Sequence, residues 1–341
     1  MADTKSAIAP AVLGCAGLTL SADEKSFFRD ANPLGFILFA RNCDAPDQVH
    51  GLVDALRDSV GRTDAPVLID QEGGRVARLT PPHWRQAPAP AVFAAMAEQS
   101  RDRALEAAKL NAHMMAAELL ALGITVDCTP VLDLPQPGAD PIIGDRALGV
   151  DPKIISLLGR AVCDGMMAGG VLPVIKHIPG HGRATADSHK ALPIVETGLD
   201  ELRKTDFAPF QALRDMPWAM TAHVQYTCLD SESPATTSKT IINDIIRGEI
   251  GYQGVLLSDD LSMKALSGDM SERTTASLDA GCDIALHCNG ERSEMEAIIN
   301  ACGKMRPETT QRLQYAESFR KAVVRLDLKD AEAKLKQLMK A

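Results

Sequence analysis

The chain has 341 residues, of which 45% are hydrophobic, 24% charged and 4% aromatic, and its formal net charge is −9. This length fits one large domain or two ordinary ones, and the composition is that of a globular protein. The negative charge argues against a nucleic-acid backbone or an anionic membrane as the main partner.

The N-terminal segment and the cysteines predict a cytoplasmic protein. Residues 1–17 contain no basic stretch followed by a continuous apolar one, so no signal peptide is expected. No apolar run approaches the ~20 residues that are needed to span a bilayer. The eight cysteines are scattered without Cys-x-x-Cys spacing, which predicts neither a disulfide framework nor a zinc knuckle.

Eight short apolar runs recur along the chain and predict buried β-strands. Their apolar character is continuous rather than alternating, as strands buried on both faces require. In chain order the runs are 11–16, 35–40, 66–70, 123–129, 171–176, 218–223, 254–259 and 282–288.

Helical stretches separate several of these runs. They have apolar residues at helical spacing and suitable residues at their ends. They are 101–123 with Gly123 as its C-terminal stop, 151–170 with Asp151 as N-cap, and 237–251 with Thr237 or Ser238 as N-cap.

Strands that alternate with helices indicate a parallel sheet, and eight repeats over this length fit a closed (β/α)₈ barrel of the TIM type. An open doubly wound sheet is the alternative, but it usually has fewer strands. Neither a Gly-x-Gly-x-x-Gly after the first strand nor a Walker-type Gly-Lys-Ser/Thr is present. We expect one domain over residues 1–341, in which residues 307–341 form a charged helical extension packed on or beside the barrel.

Ionisable residues follow four of the apolar runs directly. Burying such groups is costly unless they have partners or a ligand, and the active site of a barrel lies at the C-terminal ends of its strands. A strand-end residue that reaches solvent explains any one of them, but four together predict a shared polar pocket. These residues are Asp70, Lys176 with His177, His223, and Asp259 with Asp260.

The segment KHIPGHGRATADSHKALP, residues 176–193, concentrates titratable groups on a loop. Gly180 and Gly182 suit a bent or mobile segment that carries functional groups. In an extended segment Asp187 and His189 would point the same way, so the carboxylate could fix the imidazole tautomer for proton transfer. An Asx-turn with an incidental histidine explains the tripeptide alone equally well.

Other polar residues allow several roles. Asp259 or Asp260 could be a nucleophile, a metal ligand or a helix N-cap. Donors for a polyhydroxylated or anionic ligand are available in Lys176, His177, Arg78 and Arg146, and Asp70 is a matching acceptor. Surface salt bridges would explain each arginine as well.

Three long motifs resemble those of a known family. LIDQEGGRVARL, KHIPGHGRATADSHKALP and GVLLSDDLSM, in this order and spacing, resemble the single-domain bacterial β-N-acetylglucosaminidases of glycoside hydrolase family three. GFILFARN (35–42) and PIIGDRALG (141–149) are also similar, so the resemblance covers residues 12–290. Ile178 and Arg183 depart from the family's KHFPGHGD pattern, and Arg183 could change how the loop closes.

The resemblance implies a role for each matching residue. Asp259 would be the nucleophile and His189 the general acid/base, oriented and tuned by Asp187. The sugar would be bound by Asp70, Arg78, Arg146, Lys176 and His177.

The family also implies a retaining hydrolysis through a glycosyl-aspartate ester, in which the histidine protonates the leaving oxygen and later deprotonates water. The substrate would be N-acetylglucosamine linked to 1,6-anhydro-N-acetylmuramic acid, with or without a peptide, from peptidoglycan recycling. No metal or other cofactor is expected, the only partner would be this small-molecule substrate, and the enzyme would be a monomer.

Three other interpretations remain open from the residues. A metal-dependent barrel hydrolase could use ligands among His177, His181, His189, His223 and Asp259. A sugar-binding protein without turnover would need neither a nucleophile nor a proton relay. A relative within the family could act on another sugar or use phosphate as the acceptor.

Overall fold

The structure, a computed structural model, describes residues 7–320 and 322–340. The first six residues of the segment used to argue against a signal peptide, and residues 321 and 341 of the C-terminal extension, lie outside the described part.

Ten strands in the described residues form a barrel and a small second sheet. The barrel is closed and parallel, and its strands lie in the order β1-β10-β9-β7-β5-β4-β3-β2, while β6 and β8 pair separately. The strands are β1 (Ala9–Leu13), β2 (Pro33–Leu38), β3 (Val67–Ile69), β4 (Val126–Asp127), β5 (Leu172–Ile178), β6 (Ile194–Val195), β7 (Trp218–Thr221), β8 (Gln225–Tyr226), β9 (Val255–Asp260) and β10 (Ile284–His287).

The helices surround the barrel. They are α1 (Ala22–Ala31), α2 (Pro46–Val60), α3 (Pro90–Gln99), α4 (Arg101–Ala121), α5 (Pro152–Ala168), α6 (Leu199–Lys204), α7 (Phe207–Ala212), α8 (Met270–Ala280), α9 (Arg292–Ala301), α10 (Pro307–Glu317) and α11 (Leu328–Lys340). Short 3₁₀ turns cover Ala40–Asn42, Gly144–Arg146 and Ala235–Thr237, and a π-helix covers Ile241–Glu249. No helix in the described ranges is both long and apolar enough to cross a membrane.

The predicted (β/α)₈ barrel is confirmed, and each of the eight apolar runs overlaps a barrel strand. Gly123 has a φ of +78° directly after the C-cap of α4, and Asp151 accepts a hydrogen bond from the Lys153 N–H at the start of α5. The segment predicted as an ordinary helix at 237–251 is instead a π-helix, in which the Ile250 N–H donates to the carbonyl of Ile245.

The π-helix packs one face into the hydrophobic core. Four of its isoleucines are buried there, and the Ser238 hydroxyl accepts from the Ile241 N–H at its start. The four are Ile241, Ile242, Ile245 and Ile246.

Two apolar layers hold the barrel together. One layer packs the outer faces of the strands against the helices, and the other fills the barrel interior. Successive residues of a strand alternate between the two layers, so Val174 points inward while Ile175 packs outward. The interior side chains include Val12, Ile37, Leu68, Val174, Trp218, Met220, Val255, Leu257 and Leu286.

The C-terminal segment contacts the barrel in two places. Leu313, Ala316 and Phe319, in and just after α10, pack against the interior layer. Helix α11 lies against α4, where Ala331 and Leu335 are buried.

Arginines close the N-terminal end of the barrel by donating to main-chain carbonyls that lead into the strands. Arg57, for example, reaches the carbonyls of Ala65 (3.1 Å) and Gly123 (2.7 Å), which precede β3 and β4. The arginines with such contacts include Arg57, Arg62, Arg247, Arg306 and Arg320. The N-terminal end of the barrel is therefore closed by these hydrogen bonds. A functional site is expected at the opposite, C-terminal end.

Candidate active site

A cavity of about 190 Å³ lies at the C-terminal ends of the barrel strands. Strand periodicity explains why polar groups line it: side chains two residues apart share a face, so the residue after the last apolar interior position also points inward. On three strands that next inward residue is ionisable, which gives the pairs Leu68 and Asp70, Val174 and Lys176, and Leu257 and Asp259.

The cavity floor is a network of buried ion pairs. The Lys176 Nζ lies 2.8 Å from an Asp70 oxygen and 2.6 Å from a Glu72 oxygen. Arg146 donates to both Glu72 oxygens at 2.8 Å, and Arg78 lies 3.2 Å from Asp70. Three cations therefore share two carboxylates, so the charges are largely but not fully balanced.

These contacts fix the protonation states of the floor. Burial alone would raise the pKa of Asp70, but the charges of Lys176 and Arg78 outweigh it and hold the pKa well below its usual range. The same interaction raises the pKa of Lys176 against the effect of burial. The floor thus presents carboxylate acceptors next to ammonium and guanidinium donors, a set suited to the hydroxyl groups of a sugar.

The ring of Phe39 contacts two arginine side chains, those of Arg41 and Arg78. The guanidinium carbons of Arg41 and Arg78 lie 5.2 and 5.1 Å from the centre of its ring. Phe39 also lines the cavity, and a cation over an aromatic face is favourable. The motif GFILFARN therefore supplies a wall of the cavity that also supports Arg78.

His177 is held by a buried carboxylate. Its Nδ1 lies 2.7 Å from Asp133, and the second Asp133 oxygen accepts from the main-chain N–H groups of His177 and His181. Burial would raise the pKa of Asp133, but the two histidines hold it at about 2. Asp133 therefore fixes Nδ1 of His177 as a donor and leaves Nε2 for a ligand in the cavity.

The two neighbouring aspartates differ in surroundings. Asp259 lines the cavity, and one of its oxygens accepts from the Asp260 N–H at 2.8 Å. Burial would raise the pKa of Asp259, but His223 and His177 outweigh burial and lower the pKa overall, so the group is a carboxylate. Asp260 instead accepts from the Ser262 N–H and hydroxyl, at 3.0 and 2.7 Å. Asp260 thus takes the capping role, in a turn rather than a helix.

The loop after β5 carries an imidazole–carboxylate pair. The Nδ1 of His189 lies 2.8 Å from Asp187, and the same carboxylate oxygen accepts from the His189 main-chain N–H. Burial raises the pKa of Asp187, but these hydrogen bonds outweigh it and lower the pKa overall. The side chain of His189 is 59% exposed and lines the same cavity as Asp259.

The tip of this loop is docked onto the turn after β9. The Ala265 N–H donates to the Ser188 carbonyl at 3.1 Å, and the Ser188 hydroxyl lies 3.4 Å from Nε2 of His181. His181 is buried, and burial lowers its pKa to about 4, so this contact is made by a neutral imidazole.

Arg183 anchors the base of the loop. It lies 2.7 Å from Asp206 and 2.8 Å from Glu201, beside α6 and α7. Gly182 is required next to it for close packing, because a Cβ there would lie 2.0 Å from the Leu134 carbonyl oxygen. Arg183, which departs from the KHFPGHGD pattern, therefore makes the contacts that anchor this loop.

The structure brings the eight predicted site residues together. Seven line the cavity, and Asp187 stands behind His189. His223, which the strand-end pattern also predicted for the pocket, is buried and is not among the lining residues. The seven are Asp70, Arg78, Arg146, Lys176, His177, His189 and Asp259.

Sequence reasoning missed Glu72 and Asp133. Glu72 stands in the motif LIDQEGGRVARL, two residues after Asp70, and this i, i+2 spacing was a usable signal. Asp133 follows the short β4, and nothing local marks it as a partner of His177. In the ranges that the structure describes, no three His, Cys, Asp or Glu side chains are grouped so as to hold a metal ion.

This arrangement allows one type of chemistry directly. A carboxylate (Asp259) and an imidazole paired with a carboxylate (His189 with Asp187) face a cavity whose floor can bind hydroxyl groups. One group can attack an electrophilic carbon while the other gives a proton to the leaving atom.

Comparisons with known proteins agree with this chemistry. The family described as "Glycosyl hydrolase family 3 N terminal domain" matches residues 11–318. A protein named "Beta-hexosaminidase" from Alkalilimnicola ehrlichii is 38% identical over 286 residues, which are 83% of this chain and 81% of that protein.

Solved structures extend the similarity to three dimensions. NagZ from Neisseria gonorrhoeae is 32% identical, has a TM-score of 0.87 and is matched over 98% of both chains. It has also been solved in complex with N-trifluoroacetyl-D-glucosamine. A glycoside hydrolase family 3 β-N-acetylglucosaminidase from Paenibacillus is 30% identical with a TM-score of 0.85, where 96% of this chain covers 66% of the longer one.

Proposed function

The chain belongs to glycosyl hydrolase family 3, and on this basis we propose that it is an exo-acting, retaining β-N-acetylglucosaminidase of peptidoglycan turnover. The observation that carries the proposal is the position of Asp259 and His189 on one cavity, above the buried ion pairs of Lys176. These ion pairs form a closed floor, so only the terminal sugar of a chain can enter the cavity. This supports exo action.

Asp259 is the nucleophile in this proposal. Its carboxylate is ionised, and the Asp260 N–H holds one oxygen at 2.8 Å, so the other oxygen is available to attack the anomeric carbon. The attack forms a glycosyl ester and breaks the bond to the leaving oxygen. This corresponds to the first displacement of a retaining glycosidase.

His189 is the general acid/base. Asp187 accepts the proton of its Nδ1, so Nε2 is the nitrogen that protonates the leaving oxygen and later removes a proton from water. A neutral imidazole after proton donation places no second negative charge near the ester. Most retaining glycosidases use two carboxyl groups about 5–5.5 Å apart, and that spacing rule does not transfer to an Asp/His pair.

The sugar is bound by the floor of the cavity. Asp70 accepts from sugar hydroxyls, while Arg78, Arg146 and Lys176 donate to them, and His177 offers Nε2. These groups are already paired with each other and buried, so little reorganisation is needed when the sugar arrives.

The aglycone and the setting follow from the same proposal. We propose 1,6-anhydro-N-acetylmuramic acid, with or without its peptide, as the leaving part of the substrate, and the cytoplasm as the compartment. The cysteines at all eight positions are free thiols, which fits a reducing compartment. We further propose one domain over residues 1–341 and a monomer without a cofactor.

The test is release of nitrophenol from the aryl β-glycosides of N-acetylglucosamine and of glucose, in chelator and phosphate-free buffer. We expect turnover that strongly favours the N-acetyl sugar. Asp259→Asn should abolish it, and this loss would exclude a copurifying hydrolase. Asp200→Asn, at an exposed position on α6, is the control and should keep the activity.

Other outcomes would contradict the proposal. Activity that appears only with added zinc would favour a metal-dependent hydrolase, and activity only with phosphate would favour phosphorolysis. Binding without any turnover would favour a sugar-binding protein.

A further inference from the structure

His223 is buried at the end of β7, behind the cavity rather than in it. Both of its ring nitrogens have partners: Nε2 lies 3.0 Å from the Asp260 carbonyl oxygen, and Nδ1 lies 2.7 Å from the Thr236 hydroxyl. Neither the general acid/base nor the sugar-binding set uses this histidine. A buried imidazole with two short contacts needs a physical explanation.

The partners determine the tautomer of His223. A main-chain carbonyl can only accept, so Nε2 must carry the proton that is donated to Asp260. Burial lowers the pKa of His223, against the raising effect of Asp259, so the ring is neutral and Nδ1 is an acceptor. The Thr236 hydroxyl therefore donates to Nδ1, and it shares its proton with the Ala222 carbonyl oxygen at 3.1 Å.

The hydrogen bonds then have one direction through the network. Because Thr236 has a single hydroxyl proton, its contact with the Thr221 hydroxyl at 2.8 Å requires Thr221 to donate. The order is Thr221 to Thr236 to His223 to the Asp260 carbonyl. The Asp260 carbonyl also accepts from the Met263 N–H at 3.1 Å, so the imidazole adds a side-chain contact to a main-chain one at this group.

The network ends on the residue that holds the proposed nucleophile. The N–H of Asp260 donates to one Asp259 oxygen at 2.8 Å, and the carbonyl of Asp260 is the group that His223 holds. The side chain of Asp260 is tied to Ser262 at 2.7 Å. The N–H, the carbonyl and the side chain of Asp260 thus all have hydrogen-bond partners. These bonds restrain the main chain on which the orientation of the Asp259 carboxylate depends.

We propose that His223, held in its Nε2–H tautomer by Thr236, is a positioning residue that orients the Asp259 carboxylate for attack through the main chain of Asp260. The inference rests on the proposed function, in which Asp259 is the nucleophile. It assigns to His223 and Thr236 a part in the rate of the reaction but none in the binding of the sugar.

The first variant to measure is Thr236→Val, which removes the donor to Nδ1 and keeps the side-chain shape. Misplacement of a reacting group lowers kcat more than it raises KM. We expect kcat on the aryl N-acetylglucosaminide to fall about tenfold or more and KM to change less than twofold. Thr236→Ser restores the hydroxyl and should return kcat to near the wild-type value.

Thr274→Val is the matched control. Thr274 is also fully buried and its hydroxyl donates to a carbonyl, that of Met270 in α8, away from the cavity. This variant should lose thermal stability as Thr236→Val does and keep the wild-type kcat. A purely structural role of Thr236 would make the two variants alike in kcat.

A second pair of variants tests the histidine itself. His223→Gln keeps a donor that can reach the Asp260 carbonyl, and His223→Leu does not. We expect kcat of the Gln variant to exceed that of the Leu variant by about tenfold, at similar KM. Should His223→Leu fail to fold, the Thr236 variants decide the question.

The inference fails if Thr236→Val keeps the wild-type kcat, or if Thr236→Ser does not restore it. Its failure is distinct from that of the proposed function, because wild-type turnover and its loss in Asp259→Asn would still stand. An inactive wild-type protein would overturn both.

Discussion

Asp259 and Asp260 are neighbours in the chain, yet their carboxyl groups are placed for different tasks. Asp259 faces the cavity beside the buried floor, and Asp260 caps the turn that follows β9. Both residues line the cavity, and their hydrogen bonds distinguish them: Asp260 is tied to Ser262, whereas Asp259 has one oxygen on the Asp260 N–H. Strand periodicity directs Asp70 and Lys176 inward, so these positions could be predicted from the apolar pattern alone.

The partners of these residues could not be predicted in the same way. Lys176 lies 106 residues after Asp70, and only the closure of the barrel brings them to 2.8 Å. The position of Asp133, fully buried between His177 and His181, depends equally on how the loops pack. Local patterns identify the ionisable groups, but long-range packing decides which of them pair.

At the residue scale, Asp187→Ala tests the imidazole–carboxylate pair. Without Asp187, His189 loses both the acceptor for Nδ1 and the hydrogen bond to its main chain. We expect kcat to fall by about 10²–10⁴-fold, the usual range for loss of general acid/base help, with a smaller change in KM. Steady-state kinetics on an aryl N-acetylglucosaminide measure both quantities.

A comparison of leaving groups sharpens this test. A leaving group that departs without a proton, such as dinitrophenolate, should lose less rate in Asp187→Ala than one that needs protonation. Lys190→Ala, which removes an exposed neighbour of Asp187, is the control. An unchanged rate in Asp187→Ala would exclude the pair as the acid/base.

At the scale of elements, the sequence was sufficient for the barrel strands and for two helix ends, because burial on both faces and capping residues leave clear patterns. It was insufficient for the π-helix at Ile241–Glu249, because its four buried isoleucines recur at ordinary helical spacing and do not distinguish a π-helix from an α-helix. The course of the loop at 179–193 also depends on tertiary contacts, namely those of Ser188 and Arg183.

Arg183→Gln tests the anchor of that loop. The change removes the cationic partner of Asp206, which is buried. Burial raises the pKa of this carboxyl group even with Arg183 present. We expect the melting temperature to fall by a few degrees and kcat to fall several-fold, because the base of the loop that carries His189 shifts. Thermal unfolding and steady-state kinetics are the measurements.

Arg203→Gln provides the control for this prediction. Arg203 is exposed on α6 and pairs with Glu249, so its loss should affect neither quantity strongly. If Arg183→Gln keeps the wild-type kcat, the anchor does not position the loop.

At the scale of the whole molecule, the charge of −9 conceals a group of cations on the floor of the site, where Lys176, Arg78 and Arg146 pair with Asp70 and Glu72. Net charge therefore says little about the ligand, and the position of charges says more. The barrel can hold these charges together at its C-terminal end because other contacts hold the rest of it together. Its N-terminal end is closed by arginines and its interior is apolar.

Stability should rise with pH between about 4 and 6.5. Burial lowers the pKa of His181 to about 4 in the folded protein, and it lowers the pKa of His223 as well. In this range the unfolded chain binds protons that the folded one does not, so the free energy of unfolding increases with pH and levels off above the range. Urea unfolding at several pH values measures the slope.

A variant assigns part of this slope to one residue. His181→Asn removes one of the buried groups and should reduce the slope by up to one proton, whereas His50→Asn, at an exposed position on α2, should not. An identical slope in His181→Asn and the wild type would contradict the assignment.

The most direct test of the account is to trap the proposed glycosyl-enzyme and locate it. The enzyme is mixed with a fluorinated N-acetylglucosaminyl fluoride, which forms the ester faster than water releases it, and is then digested for mass spectrometry. We expect one sugar on the peptide that contains residues 254–263, attached to Asp259. A sugar attached to any other residue, or no adduct in a preparation that hydrolyses N-acetylglucosaminides, would contradict it.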